Sequence, residues 1–229
     1  LDGLQEDCQF FLVFYLYCLV LCFSMSDTTT TAKPQSRLQT SRLFLREFLR
    51  NPTRIGAIAP SSRVLAREIV RLANVAESQV IVEYGAGTGA FTEEILRCKK
   101  PEASFLAIES NPALVQVLRE RFPNLVILEH SVEETPRLLR QFQFAHADSI
   151  VSGLPWSSFS EELQDRLLKA TLEALRPGGV FATFAYLTGL MLPSGIAFRR
   201  KIKSLFRRVA ISPAVWRNLP PAIVYQCIR

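Results

Sequence analysis

The chain predicts an α/β protein, a mostly parallel sheet with helices on both faces, and three observations carry that expectation. Val80-Ile81-Val82 running into Glu83 is apolar without alternation, as in a strand covered on both sides. Gly85, Gly87 and Gly89 follow at once, and glycine lets the backbone turn sharply and approach a ligand closely. A helix then opens at about Ala90, with Phe91, Ile95 and Leu96 on one side, and strand and helix patterns alternate from there to the C-terminus. A strand, a glycine turn and a helix N-terminus form a nucleotide-cofactor crevice at the carboxyl end of a parallel sheet.

At 229 residues, 48% hydrophobic and 21% charged, the chain is a globular protein with one sizeable α/β domain. Its five cysteines suggest neither a disulfide framework nor a zinc site, which fits a reducing cytosol, and no metal is expected. Net charge is +6, and residues 1–24 hold three acids and no Lys or Arg, leaving +9 on the remainder. Such a surface suits a polyanion, either nucleic acid or anionic lipid.

Residues 1–37 read as an apolar segment and a polar arm, and residues 38–229 as the domain. The 14-residue apolar run 10–23 falls short of the roughly 20 needed to span a bilayer as a helix. Residues 1–24 are expected to be upstream read-through, with a membrane anchor as the alternative. From Ser41 to Arg50 a helix is expected, with Phe44, Leu45, Phe48 and Leu49 opposite Arg42, Arg46 and Arg50. This basic amphipathic pattern suits an anionic membrane interface; the alternative is a helix packed on the domain. Arg54 to Ser62 is a small-residue loop, either a linker or a flap over the cofactor, and Ser61 or Ser62 can cap a helix from Arg63 to Leu72.

After the glycine turn the spacing predicts strands at 104–109, 125–129, 148–152 and 180–186. Helices are predicted near 112–121, 134–142, 161–175 and 196–208, and a final strand pair near 209–215 and 222–228. Five β–α units and this pair make seven strands.

Glu83 decides the cofactor class. Gly85-x-Gly87-x-x-Ala90 fits a dinucleotide pattern loosely, but an acid at the strand tip repels a pyrophosphate and favours a cationic amino-acid moiety, such as that of S-adenosyl-L-methionine. Glu109, at the next strand tip, is placed to accept ribose hydroxyls. Ser131, Val132 and Glu133 at the third tip are placed for adenine, although Glu133 reads equally as a first-turn helix acid. Ser152-Gly153-Leu154-Pro155-Trp156 leaves the fourth strand. Its Trp156 reads either as a face for an ammonium group or as a core residue. His130 and His146 read as surface residues.

The stretches G-A-I-A-P-S-S (56–62), E-Y-G-A-G-T-G-A-F-T (83–92), S-G-L-P-W (152–156), P-G-G-V-F-A-T-F-A-Y (177–186) and V-W-R-N-L-P-P-A (215–222) together resemble bacterial phospholipid N-methyltransferases, relatives of the ribosomal RNA adenine dimethyltransferases. The resemblance covers nearly all of 38–229. It implies a Rossmann-like class I methyltransferase with a seven-stranded, mostly parallel sheet. It also implies S-adenosyl-L-methionine as cofactor, held by Glu83, Gly85, Gly87, Gly89 and Glu109, with Ser131, Val132, Glu133 and Ser152 completing the site. The implied reaction is methylation of phosphatidylethanolamine toward phosphatidylcholine, by a peripheral enzyme on the inner face of the cytoplasmic membrane. Tyr186, Trp156 and Ser152 are the expected catalytic positions, and Trp156, Tyr186 and Arg217 those that hold the phospholipid. Tyr186 would accept the amine's proton or orient its nitrogen. Two departures stand out. Tyr84 replaces the family's usual Leu, and Gly153 replaces the Asn that base-methylating relatives use to orient an exocyclic amine, which argues against nucleic acid. The alternatives are an RNA adenine methyltransferase or methylation of another amine lipid, such as an ornithine lipid.

Overall fold

Apolar runs and capping residues translate into elements close to those expected. The computed structural model describes residues 61–229; the predicted membrane helix, with Arg42, Phe44, Arg46, Phe48 and Arg50, lies outside the described residues. The elements are α1 (Arg63–Leu72), β1 (Val80–Tyr84), α2 (Ala90–Cys98), β2 (Ser104–Ile108), α3 (Pro112–Arg121), β3 (Val126–Leu128), α4 (Thr135–Gln141), β4 (Ala147–Ser152), α5 (Glu161–Ala174), β5 (Leu175–Tyr186), α6 (Pro193–Leu205), β6 (Arg208–Ile211) and β7 (Ala222–Ile228). The cap of α1 is Ser62, whose Oγ accepts from Leu65 N (3.2 Å). Asn111 caps α3, accepting from Ala113 N (2.9 Å), with Pro112 in the first turn where its missing N–H costs nothing.

The seven strands lie in the order β3-β2-β1-β4-β5-β7-β6. β7 pairs antiparallel with both β5 and β6, and the other pairings are parallel. Strand order reverses between β1 and β4, so the crevice for a ligand opens outside their carboxyl ends. Two apolar layers sandwich the sheet. One joins Leu65 and Ile69 of α1, Phe91 and Ile95 of α2, and Leu118 of α3 to Ile81 and Ala182. The other joins Leu138 and Leu139 of α4, Leu167 and Leu168 of α5, and Phe198 and Ile202 of α6 to Val82, Tyr84 and Phe181. The period of two along β5 sends Ala182, Phe184 and Tyr186 to the first layer and Phe181 and Ala185 to the second.

Three elements differ from expectation by three residues or more. β5 starts five residues early, because Gly178 N donates to Arg229 O (2.9 Å) and Arg229 N to Gly179 O (3.1 Å), which ties the Arg-Pro-Gly-Gly turn to the chain end. α6 begins at Pro193, whose fixed φ suits a first turn, and ends at Leu205. β6 stops at Ile211, since Pro213 has no N–H for the ladder and Ser212 Oγ instead accepts from Val224 N (2.9 Å). Among the described residues no helix is long and apolar enough to cross a membrane, and no cluster of three metal-ligating side chains occurs.

Candidate active site

The tip of β1 is clamped from both sides. Gly85 N donates to Ile108 O of β2 (2.9 Å), and Gly153 N, just past β4, donates to Tyr84 O (2.8 Å). Gly85 has φ +66°, and a Cβ there would stand 2.7 Å from the Leu154 side chain, so the turn needs glycine for both conformation and space. Gly87 and Gly89 also take left-handed φ values, +58° and +89°. Three elements therefore meet at one backbone cradle.

Two carboxylates flank it. Glu83 is fully buried; its Oε2 accepts from Thr92 Oγ1 of α2 (2.7 Å), while Oε1 has no partner among the described residues. Burial pushes its carboxyl up to about 8; the Thr92 hydroxyl works against that shift, and the Glu109 charge adds to it. A buried, half-satisfied carboxylate is costly unless a cation or donor arrives, so Glu83 Oε1 marks a place for one. Glu109 is held rigidly, with Gly87 N donating to Oε2 (3.0 Å) and Asn111 N to Oε1 (2.9 Å). Each oxygen keeps a lone pair, so the fixed carboxylate can accept two further hydroxyls, as a vicinal diol offers.

At the β3 exit, Ser131 Oγ accepts from Glu133 N (3.3 Å) and shapes a short 3-10 turn, with the Val132 side chain in the second layer. The Glu133 carboxylate accepts from Arg166 Nε of α5 (3.1 Å).

The β4 exit places Trp156 away from the expected substrate face and ties it to Ser152. Trp156 read either as a face for an ammonium group, the role expected of it, or as a core residue, and the structure takes the second: it is 2% exposed in the second layer. Its ring stacks on Phe198 (centroids 4.9 Å apart) and meets Phe181 and Phe159 edge-on (5.8 and 6.1 Å). The indole N–H donates to Ser152 Oγ (3.0 Å), which also accepts from Leu154 N (3.3 Å). A ring this size gains most from full burial once its N–H finds an acceptor, which leaves no face for a cation. Ser152 is fully buried, and its hydroxyl oxygen is engaged by Leu154 N and the Trp156 indole.

Tyr186 lies on the opposite face of the sheet, so the structure does not bring it together with Trp156. It shares the first layer with Glu83's neighbours. Its ring meets Phe184 edge-on (5.2 Å), and Phe184 in turn meets Phe91, at the start of α2 (5.8 Å). Its buried hydroxyl has no partner among the described residues, and burial holds the phenol well above its ordinary range. Arg217 is exposed on the loop before β7, whose first residue, Ala222, pairs with Tyr186.

Sequence reasoning missed Thr92 and the link that Asn218 makes. Thr92 is in the glycine motif, in the first helical turn facing back to the strand, a position that could have paired it with Glu83. Asn218 is 2% exposed; its Oδ1 accepts from Ser62 N (2.8 Å), which links the tail motif to the cap of α1. Nothing in the spacing announces that link.

A family model described as a methyltransferase domain matches residues 81–179. An ornithine lipid N-methyltransferase from Singulisphaera acidiphila is 35% identical over 190 residues, covering 81% of this chain and 94% of that protein. A probable ribosomal RNA small subunit methyltransferase A from Methanosarcina barkeri is 36% identical over 101 residues, covering 44% of this chain and 32% of that protein. The chain thus matches about a third of that relative's length. Among solved structures, the O-methyltransferase TomG from Streptomyces achromogenes, in complex with SAM, has a TM-score of 0.58 at 16% identity, covering 91% of this chain and 94% of that one. An O-methyltransferase from Bacillus cereus in complex with SAH also has a TM-score of 0.58, at 11% identity, covering 86% of this chain and 92% of that one. At such identities these two structures bear on the fold alone.

Proposed function

This chain belongs to the class I S-adenosylmethionine-dependent methyltransferases, and from that premise we propose that it N-methylates the amine of a membrane lipid. The observation that carries the reading is the similarity to an ornithine lipid N-methyltransferase over 81% of this chain and 94% of that protein. The ribosomal RNA relative from Methanosarcina barkeri is matched over only 44% of this chain and 32% of its own length. Gly153 speaks against a nucleobase as well, since it supplies no side-chain acceptor for an exocyclic amine. Phosphatidylethanolamine, the lipid expected from the sequence, and an ornithine lipid both present a primary aliphatic amine, and the reading covers that shared chemistry. The enzyme would work from the surface of the membrane.

The residues present fit the cofactor. Glu83, with its unpartnered oxygen, would hold the cationic amino-acid end, the glycine turn would pass beneath it, and Glu109 would take the ribose hydroxyls. Bound S-adenosylmethionine supplies an electrophilic methyl group. The chain's task is to present a neutral, oriented nitrogen to it. Tyr186 is the residue for orientation: its phenol stays protonated, so it is a poor base, but its oxygen accepts a hydrogen bond from an amine N–H. Arg217 would pair with the headgroup anion.

The test is incubation with methyl-labelled S-adenosylmethionine and vesicles holding phosphatidylethanolamine or an ornithine lipid, with ribosomal RNA as a parallel substrate. Label in either lipid is expected; label in RNA alone would overturn the proposal. Tyr186→Phe is expected to lower kcat about tenfold, the worth of one orienting hydrogen bond, and to leave cofactor affinity unchanged. The acid limb of the pH–rate profile, set by the amine, should stay where it is. A shift of that limb would make Tyr186 the base, and unchanged turnover would remove it from the site.

A further inference from the structure

We propose that the loop from Trp216 to Pro221, together with Met191 and Leu192, inserts into the interface of an anionic phospholipid bilayer, beside the strand end that carries Tyr186. The proposal rests on the lipid-amine reading above and adds to it a docking surface distinct from the helix expected at 41–50.

Four large apolar side chains stand in solvent here: Leu219 is 78% exposed, Met191 76%, Trp216 60% and Leu192 49%. They come from two segments that leave the sheet at one place. Tyr186, the last residue of β5, pairs with Ala222, the first of β7, and Leu187 N donates to Pro221 O (2.9 Å). Both segments therefore flank the Tyr186 strand end, on the carboxyl side of the parallel strands, where the glycine turn also lies.

The loop is held from beneath. Buried Asn218 accepts from Ser62 N (2.8 Å) through its side chain, donates to Pro220 O (2.7 Å) through Nδ2, and donates its own N–H to Val215 O (3.2 Å). Pinning the third residue of Trp216-Arg217-Asn218-Leu219 leaves its apolar neighbours facing outward on a preset backbone, so docking demands little further ordering.

Charge selects the occupant. Residues 174–229 contain nine Lys and Arg and no Asp or Glu, although the whole chain carries only +6. Arg217 sits between the two apolar tips, and exposed Arg199, Arg200 and Lys203 follow Met191 and Leu192 on α6. Basic residues beside an exposed Trp and aliphatic chains match a bilayer interface, where anionic headgroups meet acyl chains. RNA would satisfy the charges but would leave Leu219, Met191 and Leu192 with nothing to bury against.

The chain has two tryptophans, and one of them, Trp156, is buried, which gives the test its signal. Full-length protein is mixed with vesicles of phosphatidylglycerol and phosphatidylethanolamine whose acyl chains carry bromine. Quenching of fluorescence is expected for the wild type and is expected to be lost in Trp216→Phe, whose remaining Trp156 is shielded. Leu219→Ser with Met191→Ser should weaken vesicle binding about tenfold and lower kcat/KM on vesicle substrate in step. Turnover of a monomeric short-chain lipid amine should be unchanged. Protein that pellets with vesicles without bromine quenching, or Trp216 shielded by an RNA oligonucleotide and not by vesicles, would overturn the proposal. Quenching without any labelled lipid would instead count against the reaction, so the two failures are separable.

Discussion

Gly153→Ala is expected to lose about a hundredfold in methyl transfer and about 1–3 kcal/mol in stability, and Gly153→Asn at least as much. A Cβ at this position would lie 2.7 Å from the Gly85 carbonyl oxygen, 3.5 Å from Tyr84 O and 3.6 Å from the Phe91 ring. The nearest of these is backbone of the cofactor cradle, which cannot rotate aside. The Gly153 N to Tyr84 O bond (2.8 Å) would have to lengthen, and the cradle would move with it. Gly189→Ala is the control: its nearest neighbour is Ser157 Oγ at 3.4 Å, and its cost should stay within about 0.5 kcal/mol. Thermal unfolding and S-adenosylmethionine calorimetry on both variants check this. Restoring the Asn of base-methylating relatives should bring no activity on RNA adenine, because the position has no room for a side chain. Full activity in Gly153→Ala would show that the β4 exit is free to retreat, and that close packing against the turn is incidental.

The parts of the site legible in the sequence are those that backbone geometry dictates. Three left-handed residues in a tight turn must be glycine, so Gly85, Gly87 and Gly89 announce themselves, and the acids at the strand tips follow from counting to the ends of apolar runs. The alternating order of strands and helices gave the sheet for the same reason. What the sequence leaves open is which side of the sheet an exit loop turns toward. Trp156 could face the crevice or the core, and the choice falls to Phe198, Phe181 and Phe159, which are 3 to 42 residues away in the chain. The separation of Tyr186 from Trp156 was half visible, because the period of two along β5 fixes Tyr186 to the face of Ala182 and Phe184. The Ser62–Asn218 bond, spanning 156 residues, leaves no local trace at all.

Glu83→Gln is expected to weaken S-adenosylmethionine binding about 10- to 100-fold, the usual worth of a hydrogen bond to a charged group, and to raise the stability of the cofactor-free protein near pH 8. Both effects have one cause. Burial raises the Glu83 carboxyl to about 8 in the folded protein, against the 4.5 of an ordinary glutamate. Between those values the folded state binds a proton that the unfolded state does not. The stability this contributes is therefore present below about pH 4.5 and is lost as the pH climbs through about 8. A neutral Gln keeps an acceptor for the Thr92 hydroxyl without paying to bury a charge, so the wild type should lose Tm across this window relative to Glu83→Gln. A cationic ligand end reverses the preference, since it favours the carboxylate and drives the proton out. Wild-type affinity for S-adenosylmethionine should accordingly rise from pH 6 to pH 8. Calorimetry at pH 7 in two buffers of different ionisation enthalpy should find close to one proton released per molecule bound, and none for Glu83→Gln. Equal proton release from both proteins would mean that Glu83 is already ionised in the free enzyme, with a counter-charge other than the cofactor beside Oε1.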